Sequence, residues 1–298
     1  MNYSNVEDIC IINSFSKDKR DFIKSFNDGV LTSEELFDKI NLTNAIENVD
    51  KNINSPIKKR MSEMSRGIFY VLEEAPGKNL SKDEDIFLFT AFGEIDTTDK
   101  IIKTITLENA SLVSPTLFHN SVHNTPLGYY TIIKKIHNYC GTISDGILTG
   151  RSFINFIKNR AFIQEKFTVT SGEEYSPFFD LDILERRRIT PAFVAYRVIP
   201  NSDRGFRYIG EFDDFEKIKE TNEYKKAKYI FGDLNNFKKY NKTVEDKIFA
   251  TDYPLFGDNP CSVIFRLSLP FFLEIRDFSL VIEEIEGKIF LFEVNNNV

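Results

Sequence analysis

The chain has 298 residues, of which 42% are hydrophobic and 28% are charged, so it can bury a substantial core as one large α/β domain or two modest ones. Its formal net charge of −7 argues against binding the nucleic-acid backbone as a main activity, since that binding needs a basic surface. The sequence has no run of about eighteen apolar residues, and residues 1–8 lack the basic start and apolar core of a signal peptide. We therefore expect a cytoplasmic protein with no membrane span.

The three cysteines, Cys10, Cys140 and Cys261, are odd in number and far apart in the sequence. This spacing favours reduced thiols over a disulfide framework, and it contains no metal-binding pair. We expect no metal and no cofactor.

The first third of the chain predicts one strand and several helices. The apolar residues at 8–13 predict a strand, and polar segments near 17–26 and from Ser33 predict two short helices. Ser55 and the proline after it predict the start of a helix with an apolar stripe that lasts to about Glu74.

A buried strand comes next. Residues 86–91 form a near-continuous apolar run, which is typical of a strand covered on both faces in a mainly parallel sheet. Residues 96–99 should cap a helix that reaches about Leu107. Similar apolar runs at 167–170 and 193–199 continue the alternation of strand and helix, which predicts a layered α/β domain.

The segment from Ser114 to Gly150 carries the densest pattern. Ser114 and Pro115 suit the first positions of a helix. His119 and His123 have i,i+4 spacing within the predicted helix, so they should share a face. Pro126 and Gly128 predict a kink or break before the helix resumes.

A short strand and a tight turn are predicted at residues 141–146, followed by a helix over 147–157. A strand that turns sharply into a helix places a side chain beside the helix's free N–H groups, which stabilise an anionic nucleophile or an oxyanion. The Ser144, Asp145 and Gly146 turn is therefore a candidate site for acyl-transfer chemistry.

The last third predicts a strand at 207–212, surface helices around a short strand within 216–240, and an apolar helix from Cys261 that ends near Pro270. Two further strands, at 278–285 and 288–294, should form a hairpin that turns at the Glu-Gly pair between them.

The segment Ser114-Pro-Thr-Leu-Phe-His-Asn-Ser-Val-His-Asn124, with Gly128, resembles the SPTLFxxSVHNxxxG signature of the ketosynthase-like branch of the β-ketoacyl synthases. Residues 58–65 and 85–95 resemble the family's preceding helix and strand, and residues 167–174 and 191–196 its next two strands. The resemblance covers roughly the first two hundred residues.

This resemblance implies a thiolase-like fold with αβαβα layers. Residues 1–200 would be the N-terminal half, and residues 201–298 would be an abbreviated C-terminal half. The sequence contains no internal repeat strong enough to confirm such a duplication.

The resemblance also implies that the condensing residues are missing. It places Ile147 where an active ketosynthase carries its cysteine nucleophile, and no histidine follows His137 to fill the family's two catalytic positions. In the best remaining match, Asp258 stands in place of a histidine. Condensation needs a thiolate to hold the acyl chain and donors to stabilise the enolate. The residues expected at the elbow, substrate channel or subunit interface are Ser114, Phe118, His119, His123, Asn124, Gly128, Ser144, Asp145, Gly146 and Ile147.

The expected function is that of a pseudoenzyme: an accessory subunit, similar to a chain length factor, that forms a heterodimer with an active ketosynthase in bacterial fatty-acid, polyene or polyketide synthesis. One alternative is an acyltransferase or thioester hydrolase that uses Cys261 in the first turn of a helix. Another is a non-catalytic homodimeric scaffold. The lysines at 225–228 and 238–239 form either a contact for an acyl carrier protein or a solvated helix face.

Simpler structural roles are expected for the other polar residues. His119 and His123 lack a third metal ligand, so hydrogen bonding to nearby backbone is the favoured role, and Asn120 and Asn124 are candidate polar pins in a packed interface.

The acidic residues Glu94, Asp96, Glu173 and Glu174 are interpreted as helix-capping or solvated carboxylates. Cys140 is interpreted as a buried, inert thiol.

Overall fold

A computed structural model describes residues 3–13, 53, 56–81, 84–160, 165–174, 191–232, 247–251 and 259–296. The helices predicted near 17–26 and from Ser33 lie outside these residues, as do Asp258 and the lysines at 238–239.

Ten strands form one mixed sheet, in the order β3-β2-β4-β5-β1-β6-β10-β9-β7-β8. Their bounds are β1 Tyr3–Asn13, β2 Asp85–Phe89, β3 Cys140–Ile143, β4 Phe167–Glu173, β5 Ala192–Ser202, β6 Gly205–Phe212, β7 Tyr229–Gly232, β8 Ile248–Thr251, β9 Ser279–Ile285 and β10 Lys288–Asn295. Strand β1 begins five residues before the predicted strand.

The sheet is built from two copies of one strand arrangement. The central strand β2 runs parallel to β3 and β4, and β7 runs parallel to β8 and β9. The remaining pairs, β4 with β5, β5 with β1, β9 with β10 and β10 with β6, are antiparallel. Each strand of the first five therefore has its counterpart five strands later.

The two copies meet where β1 and β6 pair at Ser4 and Phe206. The sheet is mixed, because the fourth strand of each copy, β5 or β10, runs antiparallel to both of its neighbours, while the other four strands of that copy run in one direction. The division of the chain at residues 200 and 201 stays a prediction; that boundary lies within β5.

The described residues include eight α-helices beside the strands. They are α1 Glu63–Glu74, α2 Ile95–Lys103, α3 Pro115–Asn120, α4 Thr125–Lys134, α5 Thr149–Arg160, α6 Phe215–Lys219, α7 Asn222–Lys226 and α8 Ser262–Phe272. Short 3-10 helices occur at Pro56–Arg60, Pro76–Lys78, Ala110–Leu112 and Gly146–Leu148, and a π-helical turn at Thr104–Glu108.

Three apolar clusters show that the helices and strands form five layers. Helices α1 and α4 cover the outer face of the first half of the sheet, and α6 and α7 cover the outer face of the second half. Helices α5 and α8 lie in the cluster that both halves share, and every residue of α8 is buried. The layers are thus αβαβα, which confirms the predicted fold class.

Two predicted helices have different bounds in the structure. The stripe expected to run on from residue 56 is split, because Ser62 accepts a hydrogen bond from the Ser65 N–H (3.0 Å) and so caps a new helix, α1. Helix α8 continues past Pro270 to Phe272.

The C-terminal hairpin is confirmed. Glu286 and Gly287 both have positive φ angles, 52° and 73°, as a two-residue turn between β9 and β10 requires.

Candidate functional site

The carboxyl ends of the parallel strands β2, β3 and β4 meet at one edge of the first half of the sheet. Residues 90–94 follow β2, Ser144 and Asp145 follow β3, and Glu174 follows β4. The start of helix α8, at Cys261, lies against the same edge through the side chain of Glu173. This edge is where a site would lie in an open α/β sheet.

The predicted sequence of strand, turn and helix is present: strand β3 is followed by a turn and then by helix α5. Gly146 has a φ of 53°, which a glycine adopts without strain, and it begins the short 3-10 helix that leads into α5. The Ser144 hydroxyl donates to the Ala91 carbonyl (3.2 Å), and the Asp145 N–H donates to the Thr149 hydroxyl (2.9 Å). The first bond joins the elbow to the end of β2, and the second joins it to the start of α5.

The side chain just after the turn is Ile147, which is 46% exposed. An aliphatic side chain offers no lone pair with which to accept an acyl group. A covalent acyl intermediate therefore cannot form on this residue.

The predictions from the sequence did not include a buried carboxylate beside the elbow. Glu173 was interpreted as helix-capping or solvated, but it is fully buried at the end of β4. It accepts hydrogen bonds from the Thr90 hydroxyl (3.1 Å), the Ala91 N–H and the Phe92 N–H (3.2 Å). Burial nevertheless raises the pKa of Glu173 to about 7. Its carboxylate thus occupies the N–H groups with which the loop after β2 could bind an anion.

Two more buried carboxylates join the starts of helices α1 and α2. Glu94 accepts hydrogen bonds from the hydroxyls of Ser62 (2.6 Å) and Ser65 (2.9 Å). Glu174 accepts from the backbone N–H of Met64 (3.2 Å) and of Asp96 (3.0 Å). Solvation is therefore the wrong interpretation for both residues, whereas helix capping fits Glu174, whose carboxylate accepts N–H groups in the first turns of α1 and α2.

Burial also shifts the titration of this pair. It raises the pKa of Glu94 to about 7, and it holds the pKa of Glu174 well above its usual range, with the charge of Glu94 as the second cause. Asp96 differs from them, since it is partly buried in the first turn of α2 and pairs with Lys100. Its interpretation as a helix-start carboxylate agrees with the structure.

Cys261 is the N-cap residue of α8, close to the predicted place, but its surroundings oppose a thiolate. The residue is fully buried, and its sulfur lies 3.5 Å from Oε1 of Glu173. Burial and the nearby carboxylate raise the pKa of Cys261 well above its usual value. Cys140 is half-buried rather than buried, and burial raises its pKa to about 11. Neither thiol has the lowered pKa of a nucleophile.

The two histidines do not share a helical face. His119 lies in α3, whereas His123 lies in the turn before α4. The predicted break at Pro126 lies before this proline instead, because Pro126 is in the first turn of α4. The His123 ring lies over Gly93, where an added Cβ would be 2.9 Å from its Cδ2 atom. Partial burial lowers the pKa of His123, so its imidazole is neutral at pH 7.

Asn120 is the polar pin of this segment. Its side chain is buried and donates to the Arg60 carbonyl, and its Oδ1 accepts from the Tyr129 hydroxyl (2.7 Å). Asn124, the other predicted pin, is exposed and its side chain does not cap α4. Ser114 occupies the N-cap of α3 as predicted, without a side-chain capping bond.

Two kinds of site are absent from the part of the chain that the structure describes. No group of three His, Cys, Asp or Glu residues there is placed to hold a metal ion. No helix among the described residues has the length and apolar character needed to cross a membrane.

Comparison with known proteins agrees with this geometry. Residues 42–148 match the family model of the β-ketoacyl synthase N-terminal domain. No curated protein sequence matches the chain.

The chain is similar to several solved structures. The ishigamide ketosynthase/chain length factor is 11% identical, with a TM-score of 0.70, over 99% of this chain and 100% of that one. The Xenorhabdus doucetiae ketosynthase in complex with its chain length factor is 16% identical, with a TM-score of 0.57, over 98% and 100%. A β-ketoacyl synthase from Burkholderia phymatum is 10% identical, with a TM-score of 0.61, over 99% and 100%. At these identities the likeness shows a shared fold.

The duplicated strand order, the five layers and the elbow after β3 define a protein with the thiolase fold. Within that class, residues 42–148 are similar to the N-terminal domain of the β-ketoacyl synthases.

Proposed function

We propose that the chain is an accessory subunit that pairs with an active ketosynthase, in the role that a chain length factor has beside its ketosynthase. Two features support a non-condensing role. Ile147 follows the elbow where the family carries its nucleophile, and Cys261 has a raised pKa in a buried position. The likeness to ketosynthase and chain length factor complexes supports the choice of partner.

The observation that carries the proposal is an apolar surface on one segment of the chain. Every large hydrophobic side chain that is markedly exposed among the described residues lies between positions 102 and 147. We call this set the apolar face; its members are Ile102, Ile105, Leu107, Leu112, Phe118, Val122, Ile132, Tyr139 and Ile147. Such a concentration is typical of a protein–protein interface.

An open strand lies beside the apolar face. Strand β3 is at the edge of the sheet and, within the described part of the chain, pairs only with β2. Its outer N–H and C=O groups can pair with a strand from a second protein. An edge strand flanked by apolar side chains suits an interface that continues the sheet from one subunit into the next.

In this role the segment 114–136 packs across the subunit interface. Leu107 and Phe118, 79% and 67% exposed, are the most exposed apolar residues and would lie against the partner. Apolar side chains at that position would form part of the wall of the partner's acyl channel. An acyl carrier protein would then deliver its chain to the partner's cysteine, and this chain would limit the space for it.

A condensation assay tests the proposal. The purified chain, incubated with acyl- and malonyl-carrier-protein substrates, should give no condensed product, whereas the complex with a ketosynthase should. Condensation by the chain alone would show that another residue supplies the nucleophile.

The contribution of the apolar face can be measured by the variant Phe118→Ala. Burial of a phenylalanine side chain contributes about 2 kcal/mol, so we expect binding to the ketosynthase to weaken about 30-fold. Phe118→Leu should retain most of the affinity, and Lys226→Ala, on α7, should leave it unchanged. Because Phe118 is exposed, none of these changes should alter the stability of the free subunit.

The homodimeric scaffold uses the same apolar face, so the two proposals differ only in the partner. Native mass spectrometry distinguishes the two proposals, because the scaffold forms a stable complex of two copies of this chain. No contact at Cys261 favours the third proposal, transfer of an acyl group by a displaced thiol.

A further inference from the structure

A cavity lies at the opposite end of β3 from the elbow. It has a volume of about 440 Å³ and is formed by the end of α4, residues 136–138 and the segment after α1. Its lining includes the apolar side chains Leu80 and Ile136 and the ring of Tyr130. Cavities of this size with apolar walls and a few polar groups are typical of small-molecule sites.

The charged groups of this cavity are all basic. Lys134, Lys135 and His137 line it, and no carboxylate among the described residues does. Lys134 is already neutralised, since its ammonium lies 2.7 Å from the carboxylate of Glu73. Lys135 and His137 make no ion pair with a described residue, so their donors remain available to a ligand.

The backbone at Lys135 has the conformation that ends α4. This residue has φ 55° and ψ 44°, and its N–H donates to the Thr131 carbonyl. Glycine adopts this left-handed conformation without steric cost, whereas a lysine is strained there. Replacement of Lys135 by glycine should therefore keep the fold while it removes the ammonium group.

We propose that this cavity binds a small organic anion of the phosphate monoester class. The phosphate oxygens accept hydrogen bonds from the Lys135 ammonium and an N–H of His137, which a neutral imidazole can still donate. The apolar part of the ligand lies against Leu80 and Ile136. The site is separate from the elbow and does not depend on the proposed subunit role.

Titration of the full chain with phenyl phosphate and with inorganic phosphate, followed by ³¹P NMR and calorimetry, tests this assignment. We expect phenyl phosphate to bind at least about tenfold more tightly, because only its ring covers the apolar wall. Benzoate should bind more weakly than phenyl phosphate, since it carries one negative charge. No saturable binding of phenyl phosphate, or equal binding of the phosphates, would overturn the proposal.

The variant Lys135→Gly separates a ligand role from a structural one. It relieves the strained conformation, so its melting temperature should be unchanged or higher, while its affinity for phenyl phosphate should fall about tenfold. His137→Gln, at an exposed position, should weaken binding as well, and Lys226→Gln should not. Unchanged affinity in both Lys135→Gly and His137→Gln would contradict the assignment.

Discussion

The variant Glu94→Gln should remove the part of the pH dependence of stability near neutrality that Glu94 contributes. Glu94 is 1% exposed and accepts hydrogen bonds from the hydroxyls of Ser62, Ser65 and Thr97. Glutamine has nearly the same shape, and its amide group can bond to the same hydroxyls. The change therefore removes the titration while keeping the contacts between α1 and α2.

The magnitude follows from the pKa of Glu94, which burial raises from 4.5 to about 7. Because the folded state holds this proton more tightly than the unfolded chain, the resulting stability is fully present below pH 4.5 and is lost as the pH rises through 7. The pKa difference of about 2.5 corresponds to roughly 3 kcal/mol at 1.36 kcal/mol for each pKa unit. Glu174 adds to the effect in the same direction, since the charge of Glu94 contributes to its raised pKa.

Urea unfolding followed by circular dichroism at pH 5 and pH 8 measures this effect. Glu94→Gln should have about the stability of the wild-type protein at pH 5 and should exceed it by about 2–3 kcal/mol at pH 8. The exposed Glu220→Gln is the control and should behave as wild type at both pH values. An equal difference between Glu94→Gln and wild type at the two pH values would refute the argument that Glu94 is buried with a raised pKa.

Three further changes test the core and the buried thiol. Gly172→Ala should destabilise the fold by about 1–3 kcal/mol in urea unfolding, because the new Cβ would overlap the ring of Phe193; unchanged stability would mean that this ring moves freely. Arg266→Met should lower the free energy of unfolding by about 3–5 kcal/mol in the same assay, since it removes the arginine that forms an ion pair with the buried Glu283. Unchanged stability would show that water reaches that carboxylate. An acyl-thioester probe should leave Cys261 unmodified by mass spectrometry in the native protein, and an adduct lost in Cys261→Ala would support the displaced-thiol enzyme instead.

The strands of the first half could be predicted from the sequence because each is an apolar run long enough to be recognised alone. The run at 86–91 overlaps β2, and the runs at 167–170 and 193–199 lie within β4 and β5. The two halves were expected only from the family resemblance and not from an internal repeat, since the halves share strand order and direction, which are set by long-range pairing, rather than residues.

The buried carboxylates were missed for a related reason. A glutamate after an apolar run is usually solvated, and only the meeting of β2 and β4 encloses Glu173 and Glu174. One signal was available: both lie at the carboxyl end of β4, which runs parallel to β2, and the carboxyl ends of parallel strands converge. The prediction that His119 and His123 share a helical face was wrong, because helix α3 ends between them, at the turn before α4.

The central proposal is a pairing of this chain with a ketosynthase through the apolar face. Native mass spectrometry of the chain, co-expressed with an active ketosynthase, tests that pairing most directly. We expect a complex of one copy of each protein, which Phe118→Ala weakens and Phe118→Leu largely preserves. A stable dimer of this chain alone, with the ketosynthase left unbound, would contradict the proposal.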